Sequence, residues 1–378
     1  MQIHRNILEV INNTILPGKV TIIYGPRQVG KTTLVKALMA MSSLKTRFIN
    51  ADELIYRDVL SSQNLQKLTE LIGDAELFIV DEAQRVKNIG INLKIIVDNF
   101  PSLKVVATGS ASFELANQVS EPLTGRKLTF TLFPISYSEI VKTYGLVETR
   151  DQLERWLIWG GYPEIITSHH QNLRKRLMGE LVSSYLYRDV LEMADVRHSS
   201  KIVDLLRLLA FQIGSEVSVS KLASNLASDF RTISRYLDLL EKAFVIYRIG
   251  GFSRNLRKEI TKNSRYYFYD NGVRNSLIQN FNPLKLRDDI GQLWENFIMI
   301  ERQKFNQVAN RLVNTYFWRT YDQKEIDCIE EYQGRLYGYE FKFGGGKIKT
   351  ATKSGFLAAY PGSELSVVSK GNYETYIN

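Results

Sequence analysis

The run Gly25-Pro26-Arg27-Gln28-Val29-Gly30-Lys31-Thr32 ends in a lysine and a hydroxyl residue directly after its second glycine. Glycines let a backbone curl until consecutive N–H groups point inward at phosphate oxygens, and the N-terminus of a following helix adds a favourable dipole. The pattern G-x-x-x-x-G-K-[ST] fits such a loop when a strand precedes it and a helix follows. Both conditions hold in the sequence: Val20–Tyr24 reads as an apolar strand and Thr33–Met41 as a helix. Gly25, Pro26, Arg27, Gln28, Val29, Gly30, Lys31, Thr32 and Thr33 are therefore candidate ATP-binding residues. Lys31 is expected to reach the β- and γ-phosphates and Thr32 to ligate Mg²⁺.

A pair of carboxylates supports this reading. Leu77–Val80 is an apolar strand that ends in Asp81-Glu82. A carboxylate at the C-terminal end of a parallel strand faces the ligand crevice. Asp81 is expected in the Mg²⁺ shell, and Glu82 is expected to orient or deprotonate the attacking water. A further strand, Lys104–Thr108, runs into Gly109-Ser110, so either Thr108 or Ser110 can touch the γ-phosphate or the water.

With these residues the sequence resembles the AAA+ superfamily of P-loop ATPases. More closely, it resembles a prokaryotic family that couples an AAA-type domain to a C-terminal PD-(D/E)xK-like domain of unknown function. The resemblance also rests on Leu123-Thr124-Gly125-Arg126, Gly160-Gly161-Tyr162-Pro163, Arg188-Asp189 and Tyr266–Asn275. It implies ATP hydrolysis, Glu82 in the catalytic position, and Ser110 or Thr108 in the sensor position. It further implies a homo-oligomer in which an arginine reaches a neighbour's γ-phosphate, with Arg126 and Arg188 as candidates.

Two further constellations follow along the chain. Leu222 and Leu226 share a helix face, Ser228-Asp229 makes a turn, and Ile233, Leu237 and Leu240 recur at helical spacing. Arg231, Thr232, Ser234 and Arg235 then point outward near the start of the second helix, as in helix-turn-helix proteins that read DNA. Phe244–Ile249 and Arg265–Tyr269 are expected to pair as strands around a basic wing carrying Arg254, Arg257, Lys258 and Lys262. The aromatic residues Tyr266 to Tyr269 are expected in the core of that pair. Near the C-terminus, Glu295 lies on an amphipathic helix, Glu325 and Asp327 alternate on one strand, and Glu340 and Lys342 alternate on the next. An Asp and a Glu on neighbouring strands can hold Mg²⁺ through oxygen ligands, and a nearby lysine can position the water that attacks phosphorus. These residues resemble the PD-(D/E)xK nuclease superfamily, which implies Asp327 and Glu340 as metal ligands, Lys342 as the lysine and Glu295 as the helix glutamate.

The elements that must position these side chains give an α/β fold in four parts. These are a P-loop AAA+-like ATPase core (1–135), a helical lid (136–210), a winged helix (211–282) and a C-terminal PD-(D/E)xK nuclease-like α/β domain (283–378). The 378 residues carry 49 Lys plus Arg against 40 Asp plus Glu, a formal charge of +9, with 44% hydrophobic and 24% charged residues. That balance excludes a disordered, collagen-like or disulfide-stapled chain. A single cysteine, Cys328, makes no internal disulfide and fits a reducing cytosol. No apolar run approaches the ~20 residues of a membrane helix, and residues 1–10 lack the pattern of a signal peptide. His169-His170 diverge as neighbours and are expected on the surface. The expected function is a cytoplasmic Mg²⁺-dependent ATPase that acts on or binds DNA. The rivals are a nucleotide-dependent switch that binds a protein partner and an ATP-gated nuclease.

Overall fold

The computed structural model describes residues 3–109, 122–184, 199–253 and 263–377. Five parallel strands form the first sheet: β1 (Val20–Tyr24), β2 (Thr46–Asn50), β3 (Leu77–Asp81), β4 (Lys104–Gly109) and β5 (Lys127–Thr131). Their order is β2-β3-β4-β1-β5. Every residue of β1 and β3 is buried, whereas β2 and β5 at the edges are largely half-exposed. Continuous apolar runs therefore mark the strands covered on both faces. The helix Lys31–Met41 packs Leu34, Val35 and Leu38 against this sheet.

Short helices follow from Tyr137 to Val182, and a longer one spans Ser199–Phe211. Ser136 and Glu139 form a reciprocal cap at the first of them. The same Glu139 Oε1 accepts the Asn6 N–H at 2.8 Å and Arg5 Nε at 3.2 Å, so the N-terminal segment is tied to the start of the helical region.

The second sheet has seven strands: β6 (Glu216–Val217), β7 (Ile246–Gly251), β8 (Ser264–Phe268), β9 (Asn314–Arg319), β10 (Glu325–Tyr332), β11 (Arg335–Phe341) and β12 (Glu364–Val368). Their order is β12-β11-β10-β9-β7-β8-β6. The pattern from Val217 to Leu226 reads as one short helix, but Val217 pairs with Ser264 in β8, as Glu216 does with Arg265, and the helix starts at Val219. β7 and β9 run parallel, with Gly250 opposite Tyr316 and Gly251 opposite Phe317. Residues 211–282 and 283–377 thus share one sheet across the boundary expected at 282/283. The helix Phe230–Lys242 packs on β7 and the helix Val219–Asn225 packs on that helix in turn; Asp229 caps Phe230–Lys242 by accepting the Thr232 N–H at 2.9 Å. Ile233, Leu237 and Leu240 are buried, Arg231 and Arg235 are exposed, and Thr232 and Ser234 are half-buried. Tyr266, Tyr267 and Phe268 are core residues.

A buried polar joint connects the helical region to the second sheet. The Asp270 carboxylate accepts the N–H groups of Gly161 at 2.6 Å and Val273 at 3.1 Å. Asn271 Nδ2 donates to the carbonyls of Leu157 and Leu293, each at 3.0 Å, and Asn275 Nδ2 donates to Ile158 O at 2.8 Å. These side chains satisfy the end of the helix Leu153–Trp159, whose last carbonyls have no partner within the helix. The long helix Ile290–Val308 then reaches the first sheet: the Gln307 amide accepts the Thr131 N–H at 3.1 Å and donates to Thr131 O at 2.6 Å. It also holds the linker, where Glu301 Oε2 accepts the Tyr137 N–H at 2.7 Å.

Candidate active site

The phosphate loop leaves β1 at Gly25, whose φ is +156°. A Cβ there would collide with the carbonyl oxygen of Leu132, so only glycine fits between β1 and the chain leaving β5. Gly30 at φ +96° opens the helix Lys31–Met41, and Gln28 also lies in the left-handed region at φ +60°. A non-glycine residue in that region costs of order 1–3 kcal/mol and clusters at functional sites. Lys31 is buried, and its Nζ donates to the carbonyls of Gly25 at 3.0 Å and Pro26 at 2.8 Å.

The strand ends converge on this loop. Thr32 Oγ1 donates to Asp81 Oδ2 at 2.7 Å, and Thr108 Oγ1 donates to Asp81 Oδ1 at 2.5 Å. Thr108 Oγ1 also accepts the Glu82 N–H at 3.1 Å. Glu82 itself takes φ +54°, a second strained non-glycine residue at the site, and its Oε2 accepts from Gln84 Nε2 at 2.5 Å. Thr108 therefore brackets both carboxylate residues, and of the two sensor candidates it is the one that is described. Ser110 and Arg188 lie outside the described residues, as do Asp189 and the wing residues Arg254, Arg257, Lys258 and Lys262. Thr32 and Asp81 present adjacent oxygen donors, the chemistry a Mg²⁺ ion requires.

Arg126 occupies the other end of the sheet. Its carbonyl accepts the Val20 N–H at the start of β1, and its Nε pairs with Asp98 Oδ1 at 2.7 Å. The five residues of β1 separate it from the phosphate loop, about 17 Å at 3.3 Å per residue. Beside the loop opens a cleft of about 790 Å³, lined by Ile3, Leu8, Gly30, Leu34 and Pro163. Arg5 fixes one wall by donating to Val29 O at 2.9 Å and Phe133 O at 2.5 Å.

Asp327, Glu340 and Lys342 of the second sheet and Glu295 of the helix Ile290–Val308 lie within electrostatic reach of one another. Lys342 follows the end of β11 and pairs with Glu340 Oε1 at 2.8 Å. Burial works against its charge, but Glu340, Asp327 and Glu295 together raise its pKa. A fifth residue enters the cluster. Arg265 of β8 places Nη2 2.6 Å from Glu325 Oε1 and Nη1 3.6 Å from both Glu295 Oε1 and Asp327 Oδ1. Its guanidinium is 2% exposed and lies over the Phe317 ring at 4.6 Å. Asp327 Oδ2 accepts the Phe341 N–H at 2.9 Å, and Tyr267 donates to Glu295 Oε1 at 2.7 Å. Burial and the nearby Asp327 push Glu295 up to about 8, against the pull of Arg265. Burial and Glu340 raise Asp327 as well. A guanidinium thus stands among Glu295, Glu325 and Asp327, and where it stands the arrangement does not fit a divalent cation. Among the described residues, no group of three or more His, Cys, Asp or Glu side chains is arranged to hold a metal ion.

An AAA domain family matches residues 17–141. That stretch, which holds the phosphate loop, is similar to AAA-type P-loop domains. Two families described as domains of unknown function match residues 150–284 (DUF8612) and 290–377 (DUF4143). An uncharacterized protein of Methanocaldococcus jannaschii, MJ1544, is 28% identical over 327 residues, covering 80% of this chain and 71% of its own length. The uncharacterized protein Rv2008c of Mycobacterium tuberculosis is 28% identical over 333 residues, covering 85% of this chain and 70% of its own. Among solved structures, a signal transduction ATPase with numerous domains (STAND) from Pyrococcus horikoshii aligns at TM-score 0.33 and 14% identity. It covers 82% of this chain, which spans 48% of that one. AMPPCP-bound DnaA from Aquifex aeolicus aligns at TM-score 0.31 and 17% identity, over 62% of this chain and 85% of that one. Among the described residues, no helix is long and apolar enough to cross a membrane.

Proposed function

We propose that the protein hydrolyses ATP with Mg²⁺ in its AAA domain and uses the cycle to reposition a DNA-binding module. The observation that carries this reading is the hydrogen-bonded chain Thr32–Asp81–Thr108–Glu82 beside the phosphate loop. Bound at Thr32 and Asp81, Mg²⁺ would neutralise charge on the β- and γ-phosphate oxygens. Lys31 exchanges its two loop carbonyls for those oxygens. Thr108 holds Asp81 in place for the metal and fixes the backbone of Glu82, whose carboxylate orients the water and takes its proton. The apolar walls of the cleft beside Gly30 suit a nucleobase. A trans-acting arginine, Arg126 or Arg188, belongs to this reading through a homo-oligomer, because Arg126 stands at the opposite end of β1 from the loop of its own chain.

The output rests on two connections. Gln307 clasps Thr131 of β5, and Asp270 clasps Gly161, so a shift of the lid or of β5 is transmitted to the second sheet. On the helix Phe230–Lys242 beside that sheet, the winged-helix residues Arg231 and Arg235 suit phosphate contacts with DNA. The nuclease-like portion serves binding rather than cleavage in this reading, since Arg265 holds its carboxylates. ATP turnover with and without duplex, branched and single-stranded DNA tests the proposal, with Glu82→Gln as the blank. Turnover stimulated by one DNA form and lost in the variant is the expected result. Turnover indifferent to every DNA would move the output to a protein partner, and no turnover at all would refute the ATPase.

A further inference from the structure

The C-terminal carboxylates sit where two portions of the second sheet meet. Glu325 and Asp327 come from β10, Glu295 from the helix Ile290–Val308, and Arg265 from β8 on the far side of the β7–β9 seam. We infer that Arg265 is the resident cation of this cluster, and that it and a divalent metal ion exclude one another.

Three observations carry the inference. The guanidinium is within 4 Å of three carboxylates, so its charge is shared among them. It is buried to 2% exposure, and its Nε and Nη1 make no hydrogen bond to any described group, so the attraction there is ionic rather than directional. Glu295 is also engaged elsewhere: Tyr267 donates to its Oε1 at 2.7 Å, and the Gly214 turn passes so close that a Cβ there would stand 2.8 Å from that same oxygen. Removing one partner of a buried charge cluster leaves the others uncompensated. Carboxylates left without their guanidinium repel one another, and a hard divalent cation that drew them together through their oxygens would relieve that repulsion. The wing strand β8 therefore supplies the charge that a metal would otherwise supply. This inference is independent of the ATPase reading.

The test is Mn²⁺ titration of the nucleotide-free full chain, with free Mn²⁺ read by electron paramagnetic resonance. Wild type and Asp327→Asn are expected to give the same isotherm, because neither offers the cluster to the ion. A Mn²⁺ equivalent present in wild type and lost in Asp327→Asn overturns the inference. Arg265→Gln is expected to gain one equivalent that disappears in the double variant with Asp327→Asn. A folded Arg265→Gln, checked by circular dichroism, that gains none also overturns it. If Arg265→Gln does not fold, the comparison of wild type with Asp327→Asn decides alone.

Discussion

Gly160→Ala is expected to break the joint between the helical region and the second sheet. Gly160 lies at φ +71° and ψ −162°, a conformation that L side chains avoid at a cost of about 1–3 kcal/mol. A Cβ there would also run into both carboxylate oxygens of Asp270. Asp270 has nowhere to go: it is buried and accepts two N–H groups, at 2.6 Å from Gly161 and 3.1 Å from Val273. Hydrogen bonds to a charged group contribute about 1.5–3 kcal/mol each. Loss of one bond together with the backbone strain gives a destabilisation of about 2.5–6 kcal/mol, a large share of the ~5–15 kcal/mol of a typical domain. Gly179→Ala is the matched control. Gly179 is exposed on the helix Gln171–Val182, and a Cβ there meets nothing within 4 Å. That variant should be neutral or gain up to about 1 kcal/mol. Urea unfolding followed by tryptophan fluorescence reads both, since Trp156 and Trp159 belong to the helix at the joint. If Gly160→Ala unfolds within about 0.5 kcal/mol of wild type, the clash is being absorbed and the joint is not rigid.

Two other predictions concern buried charge. Burial raises Asp270 to about 6 against the pull of the Gly161 and Val273 N–H groups and Lys304. The folded state therefore keeps a proton that the unfolded chain releases at lower pH, so this group's contribution is full below about pH 4 and lost as the pH rises through about 6. The wild-type melting temperature should fall across that window relative to Asp270→Asn, and parallel profiles would refute it. Arg302 pairs both ways with the fully buried Glu330, at 2.7 Å from each oxygen, and lies 4.2 Å over the Tyr376 ring. Arg302→Met should cost about 3–5 kcal/mol, and adding Glu330→Met should recover part of that, measured by denaturant midpoints.

How much of this was legible in the sequence depended on whether the signal was local. The phosphate loop needs one strand, one turn and one helix, and Asp81-Glu82 needs one strand end, so a few consecutive residues announce each. Asp327, Glu340 and Lys342 were legible because alternation along a strand puts side chains on a common face, whereas Glu295 was named only through the resemblance. Arg265 was hidden, since it joins the cluster only through the parallel β7–β9 pairing between distant segments. A lone arginine ahead of Tyr266, Tyr267 and Phe268 was its sole local trace. Gly160 and Asp270 were visible as short motifs, but their contact spans 109 positions of chain for the Gly161 bond and no periodicity encodes it. The extent of the second sheet was missed for the same reason: its central seam is two residue pairs long.

That seam has a consequence for how the chain is made. β7 ends at Gly251 and needs β9, which ends at Arg319, and the outermost strand closes only at Val368. During synthesis at roughly 5–20 residues per second, β7 waits several seconds for its neighbour with one edge bare. An uncovered edge is a template for pairing with another chain. The paired glycines Gly250 and Gly251 at the end of β7 offer no side chain for a stray strand to pack on, which lowers that edge's appeal until its own partner emerges.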